Sequence, residues 1–148
     1  MNIKLITSNK KRFLDLLLLA DEKESMIDKY LERGEMFALY DDDLKAIAVV
    51  TCEGERVYEI KNIAVYPSFQ RKGYGKRLLN YLFEYYQERC SVMFVGTGET
   101  PSALSFYEDC GFRLSHRLKN FFIDYYDHPI YEDGKQLIDM VYLRKDFS

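Results

Sequence analysis

A glycine-rich basic segment in the middle of the chain restricts the possible folds more than any other stretch. Residues 68–76 have the sequence SFQRKGYGK, and Pro67 interrupts the strand-like pattern that precedes them. The residues that follow, to about Arg89, carry apolar side chains at helical spacing. These apolar positions are Leu78, Leu79, Leu82, Phe83 and Tyr86. The sequence therefore predicts a strand, a tight loop and an amphipathic helix in direct succession.

The predicted loop has the chemistry of an anion-binding site. The first N–H groups of a helix have no intrahelical acceptor, and the helix dipole adds partial positive charge at the same point. Gly73 and Gly75 allow a ligand to approach the backbone closely. Four basic side chains add charge: Arg71, Lys72, Lys76 and Arg77. The segment predicts a phosphate or pyrophosphate site; the alternative is a solvated helix start. Neither the Walker nor the dinucleotide glycine pattern is present.

The remaining hydrophobic patterns predict a mixed α/β fold in one domain, residues 1–148. We expect strands at 2–6, 36–40, 44–52, 56–65, 91–95, 112–119 and 137–143. Besides the central helix, we expect helices from a cap at residues 7–9 to Ala20, over 22–33, and from a Thr100 cap to Gly111. This order favours a mostly antiparallel central sheet flanked by helices. Residues 120–136 are expected to form a long connection.

Composition excludes several functional classes. A net charge of −3 argues against a protein that binds nucleic acid by bulk charge. Three cysteines without C-x-x-C spacing predict reduced thiols and a cytoplasmic protein. His116 and His128 are the only histidines, which excludes a histidine-rich metal site. The apolar stretch at 13–20 is far shorter than the roughly 20 residues that span a bilayer, so we expect no membrane partner.

Two segments resemble the GNAT family, the GCN5-related N-acetyltransferases. Residues 70–75, QRKGYG, match the family signature Q/R-x-x-G-x-G/A. Residues 100–112 resemble its second pattern, N-x-x-A-x-x-F-Y-x-x-x-G-F, except that Thr100 replaces the asparagine. The two segments occur in the family's order, and the element order resembles the family over nearly the whole chain. The resemblance implies a GNAT-like fold in which a splayed strand pair binds acetyl-CoA.

The resemblance also implies which residues contact the cofactor. They are Ile63, Ala64, Val65, Gln70, Arg71, Lys72, Gly73, Tyr74, Gly75, Lys76, Thr100, Ser105 and Tyr107. The loop amides would hold the pyrophosphate, and the strand at 63–65 would pair with the pantetheine arm. The Val65 N–H would face the thioester oxygen, and the Tyr107 hydroxyl would act as the general acid near sulfur. The change to Thr100 puts the asparagine contact in doubt.

The acceptor amine requires a base, because a free alkylamine is mostly protonated at neutral pH. Glu59 lies eleven residues before Gln70, and this spacing is similar to that of the catalytic glutamate in the histone acetyltransferase branch. The alternative is that Glu59 is an exposed strand carboxylate opposite Lys61. His128 and a water chain are the other candidates. Strict strand alternation puts four side chains on one face: Glu59, Lys61, Ile63 and Val65. A bulge, frequent in the family, would change that parity.

Two segments are candidates for the acceptor site. Residues 21–43 contain nine acids against three bases, which would attract a cation or form a solvated helix face. Residues 121–134 combine aromatic and acidic side chains, which suits an amine with an apolar body. We expect the substrate-binding residues there to be Tyr125, Asp127, His128 and Glu132. The alternatives for this segment are a packed lid or a homodimer contact.

The sequence as a whole predicts an N-acetyltransferase that uses acetyl-CoA. Transfer would go directly to a primary amine of a small molecule, peptide or protein in a ternary complex, with a small cationic amine favoured. The alternative is a GNAT-like module that senses coenzyme A or binds a protein without catalysis.

Overall fold

The computed structural model describes residues 1–147, which group into two compact units. The first unit is Met1–Cys90, and the second begins at Ser91. The fold is mixed α/β, with antiparallel strand pairs and flanking helices. The prediction of a single domain over the whole chain stays a prediction. In residues 1–147, no helix combines the length and apolar character needed to cross a membrane.

The first unit is a four-stranded antiparallel sheet with helices on both faces. Its strands are β1 (Asn2–Ile6), β2 (Glu35–Asp41), β3 (Asp43–Gly54) and β4 (Val57–Val65), hydrogen-bonded in that order. Its helices are α1 (Leu14–Ala20), α2 (Glu24–Ile27) and α3 (Tyr74–Tyr86), with 3-10 turns at Lys10–Phe13 and Pro67–Phe69. Alternation along β2 sends Met36 and Ala38 into the cluster with α1, while Phe37 contacts aromatic rings of α3.

Two of the predicted helices in this unit are shorter than expected. The helix that ends at Ala20 begins as a 3-10 turn, and Asn9 before that turn is left-handed and makes no side-chain cap bond. The helix predicted over 22–33 is limited to α2, and turns follow it to Gly34. The buried Lys10 ammonium donates to the carbonyls of Leu31 (3.0 Å) and Gly34 (2.7 Å). The Lys10 side chain thus satisfies carbonyls in the turns that follow α2.

Strand β4 contains the bulge that the family resemblance anticipated, and strict alternation is wrong here. Val49 of β3 pairs with Asn62, but the next residue, Val50, pairs with Ile60. Lys61 is therefore the extra residue. As a result Glu59, opposite Thr51, and Asn62 lie on the same face of the sheet although they are three residues apart.

The second unit is built on a smaller antiparallel sheet. Its elements are β5 (Val92–Gly98), α4 (Pro101–Asp109), β6 (Arg113–Leu118), α5 (Phe121–Asp124), β7 (Tyr131–Glu132), β8 (Lys135–Gln136) and β9 (Met140–Asp146). Strand β9 lies between β5 and β6, and β7 and β8 form a separate hairpin. Every residue of β6 is exposed.

The element boundaries in the second unit differ from the predicted ones. The strand predicted at 137–143 begins three residues later, because Leu137 belongs to a small cluster with Phe122 and Ile130. The strand predicted at 91–95 extends to Gly98. The connection at 120–136 contains α5 and the β7–β8 hairpin. In the first unit, α3 ends at Tyr86 rather than Arg89.

Candidate active site

The loop at residues 70–76 presents backbone donors at the start of α3. Arg71 (φ 63°) and Gly73 (φ 87°) are left-handed, and this turns the chain into the helix. The first helical bond runs from the Arg77 N–H to the Gly73 carbonyl, at 3.0 Å. The N–H groups of residues 73–76 precede that bond and have no intrahelical acceptor. This is the backbone arrangement that binds phosphate at helix N-termini.

Charge and space around the loop also suit a phosphate. The basic side chains are all exposed: Arg71, Lys72, Lys76 and Arg77. A Cβ added to Gly73 would meet no atom within 4 Å, so the backbone can be approached from that side. The loop therefore fits the pyrophosphate of coenzyme A in both charge and access.

Strand β4 presents further backbone groups beside the loop. The Tyr66 N–H donates to the Lys45 carbonyl of β3 at 3.1 Å. Because successive N–H groups of a strand alternate in direction, the Val65 N–H points to the other edge of β4, and so does that of Ile63. The Gln70 side-chain amide donates to the Val65 carbonyl at 3.1 Å, so this predicted cofactor contact also supports the strand end. The N–H groups of Val65 and Ile63 therefore have the direction that pairing with an extended pantetheine arm requires.

Glu59 lies in an enclosed position on β4. Its side chain is 12% exposed, and its carboxylate lies 3.1 Å from the Lys61 ammonium. The low exposure of Glu59 argues against the alternative that it is an exposed strand carboxylate. The ion pair with Lys61 agrees with that alternative. Because the bulge turns Glu59 to the face that carries Asn62, it lies on the side of the sheet covered by α1.

Tyr107 is buried in the second unit, at the end of α4. Its ring packs edge-to-face on Phe106 (5.1 Å between centroids) and on Phe112 (5.7 Å). Burial, and then the charges of Cys110 and Glu132, raise the pKa of the Tyr107 hydroxyl well above its usual value. The raised pKa keeps the proton on the oxygen at neutral pH, and it also makes the hydroxyl a weaker proton donor.

Two other predicted cofactor residues lie on α4. The predicted helix start is confirmed: buried Thr100 is the N-cap, and its hydroxyl accepts a hydrogen bond from the Ala103 N–H at 3.3 Å. The Thr100 hydroxyl thus already serves the helix. Ser105 is exposed and lines a shallow groove together with Glu99, Leu104 and Lys135.

The predicted acceptor residues lie on the surface of the second unit. His128 and Asp127 form a pair at 2.7 Å, and the His128 side chain is 57% exposed. Tyr125 is exposed and packs on the Phe121 ring at 4.8 Å. Although the Glu132 side chain is exposed, neighbouring protein atoms partly desolvate its carboxyl, and this, followed by the charge of Asp133, raises its pKa. The pKa of Tyr107 responds to Glu132, so these two side chains share one electrostatic environment.

The acidic residues at 21–43 are partly engaged by the protein itself. Lys11 lies 2.6 Å from both Glu24 and Asp28, and the Tyr86 hydroxyl donates to Glu35 at 2.7 Å. These contacts reduce the negative charge that the segment can offer to a cation.

Sequence reasoning missed two polar groups near the site. Asn62 is buried on β4 and donates to the Leu17 carbonyl and the Tyr30 hydroxyl, each at 3.0 Å, while its Oδ1 has no hydrogen-bond partner among the described residues. A single amide in an apolar strand pattern was the available signal. Asp41 accepts a hydrogen bond from the Tyr74 hydroxyl, and no sequence pattern joins these two residues. No group of three or more metal-binding side chains occurs in the described part of the chain.

Comparison with known proteins identifies the family of the chain. The family model "Acetyltransferase (GNAT) family" matches residues 8–112. The Bacillus subtilis protein YvbK, described as an uncharacterized N-acetyltransferase, is 38% identical over 99% of this chain and 96% of its own. A B. subtilis acetyltransferase in complex with CoA is 37% identical with a TM-score of 0.92, over 99% of both chains. An Elizabethkingia anophelis GNAT acetyltransferase with acetyl-CoA bound is 34% identical with a TM-score of 0.91, over 98% of this chain and 97% of that one. The chain therefore belongs to the GNAT family and is an acetyl-CoA-dependent N-acetyltransferase.

Proposed function

We propose that this enzyme acetylates a primary amine of a small cationic acceptor by direct transfer. The observation that carries the proposal is the presence of two sets of backbone N–H donors in the first unit. The amides of residues 73–76 suit the pyrophosphate, and the Val65 N–H has the direction that the acetyl carbonyl requires. Bound acetyl-CoA supplies the thioester whose acetyl group moves to the amine nitrogen.

Two residues would stabilise the charges that develop during transfer. The Val65 N–H would donate a hydrogen bond to the thioester oxygen as negative charge grows on it, an effect worth about 10²–10³ in rate in other enzymes. The Tyr107 hydroxyl, which is protonated at neutral pH, would give its proton to the departing sulfur. Thr100 would act through the start of α4, because its hydroxyl caps that helix.

Glu59 is the base that we propose for the amine. It lies on β4, the strand that also carries Val65, and its carboxylate is largely enclosed. The amine would lose its proton to Glu59, directly or through water, before its nitrogen attacks. His128 is the second candidate, with Asp127 holding its ring at 2.7 Å.

A small cationic amine fits the exposed side chains of the second unit. Asp127 and Glu132 would hold a positive charge, and Tyr125 would cover its apolar body. A compartment that keeps thiols reduced suits the enzyme, because Cys52, Cys90 and Cys110 form no disulfide in the described part of the chain. We therefore place the reaction in the cytoplasm; the homodimer stays a prediction.

The test is an acetyl-CoA assay that follows the release of free thiol with a panel of linear mono-, di- and polyamines. We expect amine-dependent thiol release that increases with the number of charges on the amine. Tyr107→Phe should lower kcat by about 10²-fold or more while the affinity for CoA is kept. If CoA binds but no amine in the panel releases thiol, the acceptor is not a small cationic amine.

A further inference from the structure

Side chains of the β2–β3 turn reach the cofactor loop. The Tyr74 hydroxyl, on the first residue of α3, donates to the Asp41 carboxylate at 2.7 Å. On the other side of the turn, Asp43 pairs with the Lys45 ammonium. That ammonium lies 3.5 Å from the centroid of the Phe69 ring, and the Phe69 ring meets the Tyr74 ring edge-to-face at 6.5 Å. We call this set of four contacts the turn clamp.

The loop conformation needs support of this kind. Arg71 and Gly73 are both left-handed, and a left-handed conformation is unfavourable for a residue with a side chain such as Arg71. Such a conformation persists only where neighbouring contacts hold it. The turn clamp contacts the loop at Phe69, before these two residues, and at Tyr74, after them.

The clamp also engages acids that would otherwise oppose an anion. Asp41, Asp42 and Asp43 are consecutive carboxylates beside a loop suited to phosphate. The hydrogen bond to Asp41 raises the pKa of the Tyr74 hydroxyl, so the tyrosine remains a donor. The bond from Lys45 lowers the pKa of Asp43, and Lys45 itself is nearly buried. Two of the three charges are thus committed to holding the loop.

We infer that Asp41 and Tyr74 are positioning residues for the cofactor: they hold the amides of residues 73–76 in the phosphate-binding arrangement before coenzyme A arrives. The inference rests on the proposed role of those amides. It predicts that loss of the Tyr74–Asp41 bond weakens cofactor binding and leaves the chemical step intact. The effect should reach the ligand only through the backbone of the loop.

The first test is calorimetric titration of Tyr74→Phe with coenzyme A. Loss of one hydrogen bond to a carboxylate should raise Kd about tenfold. The KM for acetyl-CoA should rise by about the same factor. Asp42→Asn is the matched control: it removes the same charge as Asp41→Asn, and Asn tolerates the left-handed backbone of Asp42 (φ 68°). The control should bind CoA as tightly as the wild type or slightly more tightly.

The second test needs no ligand. In the free protein, the amide hydrogen of Arg77, which is bonded to the Gly73 carbonyl, should exchange faster in both Tyr74→Phe and Asp41→Asn than in the wild type. The double variant should show little further loss of CoA affinity, because both changes break one bond. Wild-type affinity and exchange in Tyr74→Phe, or equal weakening by Asp42→Asn, would overturn the inference. A wild-type protein that binds no CoA would instead overturn the proposed cofactor site.

Discussion

In the cofactor loop, residues 66–76, side chains of the β2–β3 turn hold the backbone in place. The connection at residues 120–136, which we call the acceptor segment because it contains the predicted acceptor residues, instead packs on a small apolar cluster. The loop offers mainly backbone N–H groups to a ligand, and two of its residues are left-handed. The acceptor segment offers exposed side chains, and its cluster contains Phe122, Ile130 and Leu137.

The difference shows how the two regions can recognise different ligands. Backbone donors recognise a phosphate whatever the side chains are, so one cofactor site can be kept while sequences change. Side chains on a surface segment recognise an acceptor through their own chemistry, and any substitution alters it. If this comparison holds, changes in the loop affect CoA, and changes in the acceptor segment affect the amine.

The largest effect should come from loss of the general base, and its size shows whether β4 or the acceptor segment supplies that base. Glu59→Gln should lower kcat/KM for the amine by about 10²-fold at pH 7, because the amine proton loses its acceptor. His128→Gln should change it less than about threefold. Steady-state rates of the two variants at saturating acetyl-CoA make the measurement. The opposite ranking would move the base to the acceptor segment.

A packing change in the acceptor segment should separate amine binding from CoA binding. Phe122→Ala removes a buried ring from the small cluster, a change that costs about 3–5 kcal/mol of packing in protein cores. We expect KM for the amine to rise tenfold or more while Kd for CoA stays within about twofold. Ile123→Ala is the control, because the neighbouring Ile123 side chain is exposed. If Phe122→Ala weakened CoA binding as much as amine binding, the two regions would not recognise their ligands independently.

Two glycines with similar conformations allow a matched test of the comparison. Gly73 (φ 87°) lies in the loop and Gly134 (φ 74°) lies in the β7–β8 turn, and a Cβ on either would meet open space. Alanine should therefore strain only the local backbone, by about 1–2 kcal/mol. Gly73→Ala should raise Kd for CoA roughly tenfold, and Gly134→Ala should leave it unchanged. Equal effects in calorimetric titrations would show that left-handed strain, and not the loop, governs CoA binding.

The smallest expected effect is a pH dependence of stability in the acceptor segment. The fold raises the pKa of Glu132, so the unfolded chain loses this proton more readily and the free energy of unfolding falls as pH rises above about 4.5. Glu132→Gln should remove that fall, so its stability relative to the wild type should increase from pH 4 to pH 7. Urea unfolding at several pH values measures this. A difference independent of pH would mean that burial does not act on this carboxyl.

The sequence was most informative where structure is local. The glycine spacing at 73 and 75, the Thr100 cap and the turn at 41–43 depend on neighbouring residues, and the elements around them are confirmed. The bulge at Lys61 was anticipated only through the family resemblance, because pairing with β3 and not strand periodicity determines it. The Lys10 side chain binds carbonyls in the turns after α2 that lie more than twenty residues away, and no local pattern predicts these bonds.

Contacts between distant residues were not predictable from the sequence. The Tyr74–Asp41 bond joins residues 33 positions apart, and neither residue type is distinctive in a turn or a helix start. The Asn62 bonds to Leu17 and Tyr30 are similar in this respect. The acceptor segment read as a loop because its helix has only four residues and its hairpin strands two each, too short for a periodic pattern.

We infer that the amides at the start of α3 bind the pyrophosphate of coenzyme A. Thermal melting with acetyl-CoA, pantetheine, ATP and NAD as separate ligands tests this binding. A ligand at 100 times its Kd adds about 2.7 kcal/mol, which is a rise in Tm of roughly 5–10 °C for a chain of this size. We predict that rise for acetyl-CoA and little or none for the other three. An equal rise with pantetheine, which lacks the pyrophosphate, or no rise with acetyl-CoA at millimolar concentration, would contradict the claim.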